Sequence, residues 1–258
     1  MAEARLAHSF GRVALAYDDA RPEYAPEALD RAQEVLGLGA HVEVVELGAG
    51  TGILTRALVE RFARVVAVEP NDEMRRVLEA RTPGAEVHAG TGEQIPLADA
   101  VADAVFVADA FHWFDARSAL REMARVLRPG GGLALLWNLW WTDEAAGTRD
   151  GLDPPLPAAA RELLDDVYER SGRAAMARSA DDPSAAFAES PFEPLREESF
   201  PRELDLPADE VVALYGTVSS VASLPERERD RLLRRLLGLL SGPYRLPVTT
   251  QLHWTRLR

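Results

Sequence analysis

The segment Glu46-Leu47-Gly48-Ala49-Gly50-Thr51-Gly52 joins a carboxylate to a glycine-rich turn. It follows a β-branched, apolar run from His41 and leads into a helical pattern from Thr51 to Phe62. A strand, a glycine turn and a helix in that order let the backbone approach a ligand closely, because glycine has no Cβ and tolerates positive φ. The helix start then presents N–H groups. A second acid, Glu69, closes the run Val65-Val66-Ala67-Val68 and lies 21 residues after Gly48. A carboxylate at that distance, at a strand end, accepts the two hydroxyls of a ribose. A third segment, Asp109-Ala110-Phe111-His112-Trp113-Phe114, follows another apolar run. His112 there is a candidate general base for a hydroxyl acceptor, or a histidine that only orients its loop. Trp113 and Phe114 are expected to wall a pocket.

These segments alone also suit a nicotinamide dinucleotide. A pyrophosphate, however, favours a helix N-terminus with no carboxylate beside it, whereas Glu46 suits an ammonium or a sulfonium. Composition removes further chemistries. The chain has no cysteine, so disulfides, thiol nucleophiles and thiolate metal sites are absent. It has no lysine: all 29 basic residues are arginine. A phosphate-binding P-loop lysine, a Schiff base and a Tyr-Lys dehydrogenase pair are therefore excluded. The net charge of −13 repels a phosphate backbone, so no nucleic-acid partner is expected. The five histidines are scattered, and the segment after Leu133 reaches Asn138 with no acid before it, so no metal is expected. No apolar run is long enough to span a membrane. The opening Met1–His8 has no basic stretch followed by an apolar one, which makes the cytoplasm the default location.

The elements that must position these residues follow from periodicity. Helices are expected at Pro26–Leu38, Thr51–Phe62, Asn71–Arg81 (capped by Asn71 or Asp72) and Asp115–Leu127. Strands are expected at His41–Leu47, Arg64–Glu69, Ala85–Ala89, Ala104–Ala108 and Leu133–Trp137, with Pro129–Gly132 a turn. Strand and helix in alternation predict an α/β fold: a Rossmann-like, seven-stranded, mostly parallel sheet with helices on both faces and a small helical cap. Residues 1–141 form the core with an N-terminal helical lid. Residues 142–258 supply the cap, from about 142–190 and 207–240, and the last two strands, all within one structural domain. Within that region, Ala158–Ser171, Ala208–Val221 and Pro225–Leu240 read as helical, and Leu195–Leu206 and Pro247–Leu257 as strands.

Over roughly residues 10–140 the chain resembles the class I S-adenosylmethionine-dependent methyltransferases. The resemblance is carried by Glu46–Gly52, Val68-Glu69-Pro70-Asn71, Gly90-Thr91-Gly92-Glu93-Gln94-Ile95-Pro96-Leu97, Asp109–Phe114 and Arg125–Gly131. The last two, with Phe10–Tyr17 and Arg21-Pro22-Glu23-Tyr24, are similar to the trans-aconitate-type subgroup and the methyltransferase type 11 family, which modify small molecules. The resemblance implies S-adenosylmethionine as cofactor and S-adenosylhomocysteine as product. It also implies roles for single residues. Gly48, Ala49, Gly50 and Gly52 would line the methionine and ribose of the cofactor. Glu46 would hold the methionine amine directly or through water, and Glu69 the ribose hydroxyls. Pro70, Asn71 and Met74 would lie near the adenine. Many relatives carry an acid in place of Thr91 and alanine in place of Gly92, so here Glu93 or backbone groups would take the adenine edge. Asp109 and Ala110 would sit near the methionine part, and Tyr17 and Arg21 would close over the cofactor from an N-terminal helix. His112, Trp113, Trp137 and Trp140 would form the acceptor pocket. The expected partner is a small-molecule acceptor, and the expected assembly a monomer or homodimer. Two alternatives stand beside this reading: a non-catalytic cofactor-binding or interaction protein of the same fold, and an NAD(P)-dependent oxidoreductase.

Overall fold

The computed structural model describes residues 14–139, 156–171 and 183–258. Its centre is a seven-stranded sheet of β1 (Glu43–Leu47), β2 (Arg64–Val68), β3 (Glu86–His88), β4 (Ala102–Ala108), β5 (Leu127–Leu139), β6 (Arg196–Leu206) and β7 (Tyr244–Arg256), in the order β3-β2-β1-β4-β5-β7-β6. The pairs β1–β2, β2–β3, β1–β4 and β4–β5 are parallel. The expected Rossmann-like architecture is present. From β1 the order runs outward in two directions, so a switch point lies between β1 and β4, where open α/β sheets bind ligands at the carboxyl ends of their strands.

The chain divides into two compact units. The larger is built from Glu23–Asn138, Asp182–Phe200 and Thr250–Arg258. Period-two alternation along its strands feeds two separate cores. Val45, Leu47, Val105, Val107, Leu133 and Leu135 face one side, against Ala119, Leu120 and Met123 of helix α5 (Ala116–Val126). Val44, Ala104, Phe106, Ala134 and Leu136 face the other, against α2 (Pro26–Val35) and α3 (Ile53–Val59). The helices α4 (Asp72–Arg81) and α5 begin where the sequence predicts, because Asn71 and Asp115 cap them: Asn71 Oδ1 accepts from the N–H groups of Glu73 and Met74, and Asp115 Oδ1 from that of Ser118.

The expected helix Ala208–Val221 is two helices, Ala208–Gly216 and Ser219–Ala222, and one expected turn is absent. Pro129–Gly132, predicted as a turn, lies within β5, which already pairs through Leu127 with Ala102 and resumes pairing at Gly132 with Ala104. The four residues 128–131 are accommodated as a bulge opposite Asp103.

The smaller unit comprises the described residues of Met1–Pro22, Leu139–Asp181 and Pro201–Thr249. It contains α1 (Ala14–Ala20), α6 (Ala158–Ser171), α8 (Ala208–Gly216), α9 (Ser219–Ala222) and α10 (Glu226–Leu239). Leu164, Val167, Val211, Tyr215, Leu232, Leu236, Leu246 and Val248 close a core of its own. The short helix α7 (Pro183–Ala188) belongs to the larger unit, where Phe187 packs on Phe111 and Phe192. Among the described residues no helix is long and apolar enough to cross a membrane.

Candidate cofactor site

Four loops leave the carboxyl ends of β1, β2, β3 and β4, and they carry most of the residues singled out in the sequence. The turn after β1 is left-handed at alternate positions, with φ of 67° at Gly48, 57° at Gly50 and 90° at Gly52. A Cβ on Gly48 would lie 2.5 Å from that of Ala110, and one on Gly52 would lie 2.4 Å from Leu78 Cδ1. A Cβ on Gly50 would meet nothing within 4 Å, so the turn is packed at its two ends and open in the middle. Four of its five N–H groups are committed within the protein. Those of Gly48 and Ala49 donate to the Val68 carbonyl, that of Gly50 to Glu69 Oε2, and that of Gly52 to the Ala49 carbonyl. A pyrophosphate cradle needs such donors aimed outward. This turn spends four of them, and it has two carboxylates beside it.

Both carboxylates are buried. Glu46 is 1% exposed and accepts the Thr55 hydroxyl at 2.6 Å. Burial pushes its pKa up to about 8, with the Thr55 bond opposing and the nearby Glu69 charge adding to the rise. Glu69 is 7% exposed and takes one backbone N–H on each oxygen, Gly50 at 2.9 Å and Asn71 at 2.8 Å. Burial raises its pKa as well, and those two bonds hold it back. A carboxylate has about four acceptor positions. Two are used here, which leaves the capacity a ribose diol requires. Pro70 and Asn71 continue the loop, with Asn71 engaged as the α4 cap and Met74 buried beneath it.

The loops after β3 and β4 meet at Phe114. Its ring lies where a Cβ on Gly92 would be, 2.7 Å from Phe114 Cδ2, and it also approaches Gly48. The glycine at position 92 thus has a local cause: an aromatic ring takes the space of a side chain. Glu93 Oε1 accepts the N–H of Asp115 at 2.8 Å, which ties the β3 loop to the start of α5. Sequence spacing did not reveal Arg125, whose guanidinium donates to the carbonyls of Ile95 and Leu97 and to Glu122 and Asp99, clamping the same loop. A recess of about 460 Å³ opens beside this loop, lined by Thr91, Glu93, Gln94, Pro96 and Glu122 but by none of the glycine turn.

Asp109 ends β4 in the left-handed region, φ 48°, with its N–H on the Leu136 carbonyl. Tyr24 donates its hydroxyl to Asp109 Oδ2 at 2.8 Å. Phe111–Trp113 form a 3-10 turn with Phe111 buried, His112 exposed, and the His112 and Trp113 rings 4.9 Å apart. Trp137 packs edge-on to His253 at 5.2 Å. Tyr17 and Arg21 belong to the smaller unit, where Arg21 lies over the Tyr17 ring at 4.8 Å and donates to Thr217 Oγ1 at 2.8 Å. Trp140 and Trp141 lie outside the described residues. The larger unit therefore brings together Glu46, the glycine turn, Glu69, Gly92, Glu93, Asp109 and Ala110. That set of acceptors, two buried carboxyl groups about an open glycine turn and an aspartate across it, fits a ligand with a ribose and a positively charged amino-acid arm.

Comparison with known proteins bears on the family and the fold. Residues 45–135 match the model of the methyltransferase domain family. An uncharacterized methyltransferase of Mycobacterium tuberculosis is 50% identical over 153 residues, 57% of this chain and 61% of that protein, so the match spans less than two thirds of the mycobacterial relative. An uncharacterized methyltransferase-like protein of Schizosaccharomyces pombe is 31% identical over 237 residues, 92% of this chain and 87% of the relative. A solved structure of a candidate type II methyltransferase from Anaeromyxobacter dehalogenans superposes with a TM-score of 0.61 at 25% identity, covering 92% of this chain and 98% of the other. The fold is that of the Rossmann-like methyltransferases. The chain belongs to the class I S-adenosylmethionine-dependent methyltransferase family.

Proposed function

We propose that this chain binds S-adenosylmethionine in the larger unit and transfers its methyl group to a small-molecule acceptor, leaving S-adenosylhomocysteine. The observation that carries the reading is the pair of buried carboxylates, Glu46 and Glu69, about a glycine turn in which the N–H groups of Gly48, Ala49, Gly50 and Gly52 are already bonded. Such a turn is suited to a cationic ligand and unsuited to a pyrophosphate, which argues against a dinucleotide.

When bound, the cofactor supplies a methyl on a positively charged sulfur, already activated for in-line displacement. The chain's work is then positioning, which is worth on the order of 7–11 kcal/mol for well-oriented reactants. Glu69 fixes the ribose. Glu46 and Asp109 hold the amino-acid arm by its ammonium. Gly48 and Gly50 keep that face of the turn low enough for the ligand to lie against it. Phe114 and the 111–113 turn wall the side toward β4, and Trp113 lines the acceptor side. His112, exposed on this turn, takes the proton when the acceptor is a hydroxyl. The strongly acidic chain supports a small acceptor over a nucleic acid.

Calorimetric titration tests the reading. S-Adenosylhomocysteine is expected to bind and NAD not to. Glu69→Ala is expected to weaken S-adenosylhomocysteine binding by at least about tenfold, the equivalent of about 1.4 kcal/mol. Unchanged affinity in Glu69→Ala, or binding of NAD in its place, overturns it.

A further inference from the structure

The segment that carries Tyr24 is stapled on both sides. On one side the Glu23 carbonyl accepts from Asn138 Nδ2 at 3.0 Å. On the other the Ala25 N–H donates to Thr250 Oγ1 at 2.9 Å. The staples are themselves joined, since Thr250 Oγ1 donates to Asn138 Oδ1 at 2.6 Å. Thr250 is fully buried, and Asn138 and Ala25 nearly so. Asn138 lies on β5 and Thr250 on β7, so two strands of the sheet grip three consecutive residues ahead of α2. Between the grips, Tyr24 reaches Asp109 Oδ2 at 2.8 Å, 85 positions away. Asp109 is itself in a backbone conformation that non-glycine residues seldom adopt.

This arrangement does more than pack a ring. Packing alone would leave the phenol direction to chance, whereas a buried, mutually bonded polar network fixes one geometry. The network fixes the backbone on either side of Tyr24, and the hydroxyl in turn fixes the Asp109 carboxylate at the edge of the cleft between β1 and β4. Residues held off their preferred backbone conformation persist where the surroundings over-determine them, and such residues gather at ligand clamps. We infer that Tyr24 is a positioning residue that orients Asp109 toward the ammonium of the cofactor's amino-acid arm, and that Asn138 and Thr250 act through Tyr24. The inference rests on the cofactor reading above. It adds a specific division of labour: the Tyr24 clamp serves the amino-acid end of the ligand and leaves the nucleoside end to Glu69.

Two ligands separate the ends. S-Adenosylhomocysteine carries the amino-acid arm; 5′-methylthioadenosine keeps the nucleoside and the sulfur and lacks that arm. Tyr24→Phe is expected to weaken S-adenosylhomocysteine about tenfold and to leave 5′-methylthioadenosine within about twofold, by calorimetry on the full chain, with thermal unfolding as the check that it folds. In an Asp109→Asn background the same substitution is expected to have little further effect, because the two residues act as one unit. Thr250→Val is expected to weaken the same ligand selectively and to add nothing to Tyr24→Phe. If Tyr24→Phe weakens both ligands alike, or neither, the inference is wrong while the cofactor reading stands. If the unmodified chain binds neither ligand, the cofactor reading falls and the inference with it.

Discussion

At the scale of single residues, Glu46 has the most unusual environment. A carboxyl 1% exposed, with one hydroxyl partner, is held in its protonated form up to about pH 8, where an ordinary glutamate ionises near 4.5. Below about pH 4.5 the side chain is neutral whether the chain is folded or not, and its burial is then least unfavourable. As pH rises from there, the unfolded chain releases this proton and the folded chain keeps it, so stability falls until about pH 8 and levels off beyond. The thermal midpoint is therefore expected to drop by several degrees between about pH 5 and about pH 8, given about 2–4 °C per kcal/mol for a chain of this size, and Glu46→Gln is expected to flatten that slope. An equally steep slope in the variant would assign the effect to other groups. The same proton reports on the ligand. An ammonium brought beside Glu46 favours the ionised form, so S-adenosylhomocysteine binding near neutral pH is expected to release a proton. Calorimetry in buffers of different ionisation enthalpy measures that release, and Glu46→Gln should abolish it.

At the scale of elements, the site depends on loops that touch one another, and Gly92 is where that contact is tightest. Alanine there would place its Cβ within 3 Å of three Phe114 ring atoms. The ring is confined by Phe111 on one side and the Gly48 turn on the other, so the 3-10 turn must shift to make room. Gly92→Ala is expected to destabilise by about 1–3 kcal/mol, as overpacking does, and to weaken the cofactor product. Phe114→Leu in the same chain should recover part of that loss, and strict additivity of the two substitutions in denaturant unfolding would show that the contact is not the cause. The position also marks the limit of sequence reading. Gly92 can be noted as a departure from related enzymes, but the ring that explains it lies 22 residues further on. The regular elements were legible because each carries several turns or alternations of its own: α5 shows its buried stripe at Ala119, Leu120 and Met123, and β4 alternates Ala104, Val105, Phe106 and Val107 between two cores. The short pieces were not legible. The turn Phe111–Trp113 and the helix α7 are too brief to complete a period, and the bulge at 128–131 resembles a turn because proline and glycine serve both. Glu46, the glycine turn and Glu69 stood out because local spacing defines them. The Tyr24–Asp109 and Glu93–Asp115 contacts and those of Arg125 with Ile95 and Asp99 join residues from 22 to 85 positions apart, and no spacing rule links them.

At the scale of the molecule, the charge balance bears on how the ligand arrives and leaves. The chain carries −13 with every positive charge on arginine, and much of that arginine is already engaged with acids, as Arg64 is with Glu43 and Glu86, and Arg128 with Glu43 and Asp103. The field at long range is therefore negative, and a field of that sign raises the encounter rate of cations. S-Adenosylmethionine carries a sulfonium and an ammonium against one carboxylate, a net positive charge. S-Adenosylhomocysteine has lost the sulfonium charge and is neutral overall. The substrate form should thus be drawn in by the whole chain, and the product form should feel no such pull. Salt separates this long-range effect from contact interactions, because the screening length shrinks from about 30 Å at 0.01 M to about 3 Å at 1 M. In stopped-flow measurements the association rate of S-adenosylmethionine is expected to fall several-fold between about 10 mM and about 500 mM salt, while that of S-adenosylhomocysteine stays nearly constant. A common salt response for the two forms would place the discrimination at contact range, on Glu46 and Asp109, and would remove any role for the net charge in turnover. If the rates diverge as expected, the acidic surface favours exchange in the productive direction: the charge lost with the methyl group is the one that drew the cofactor in.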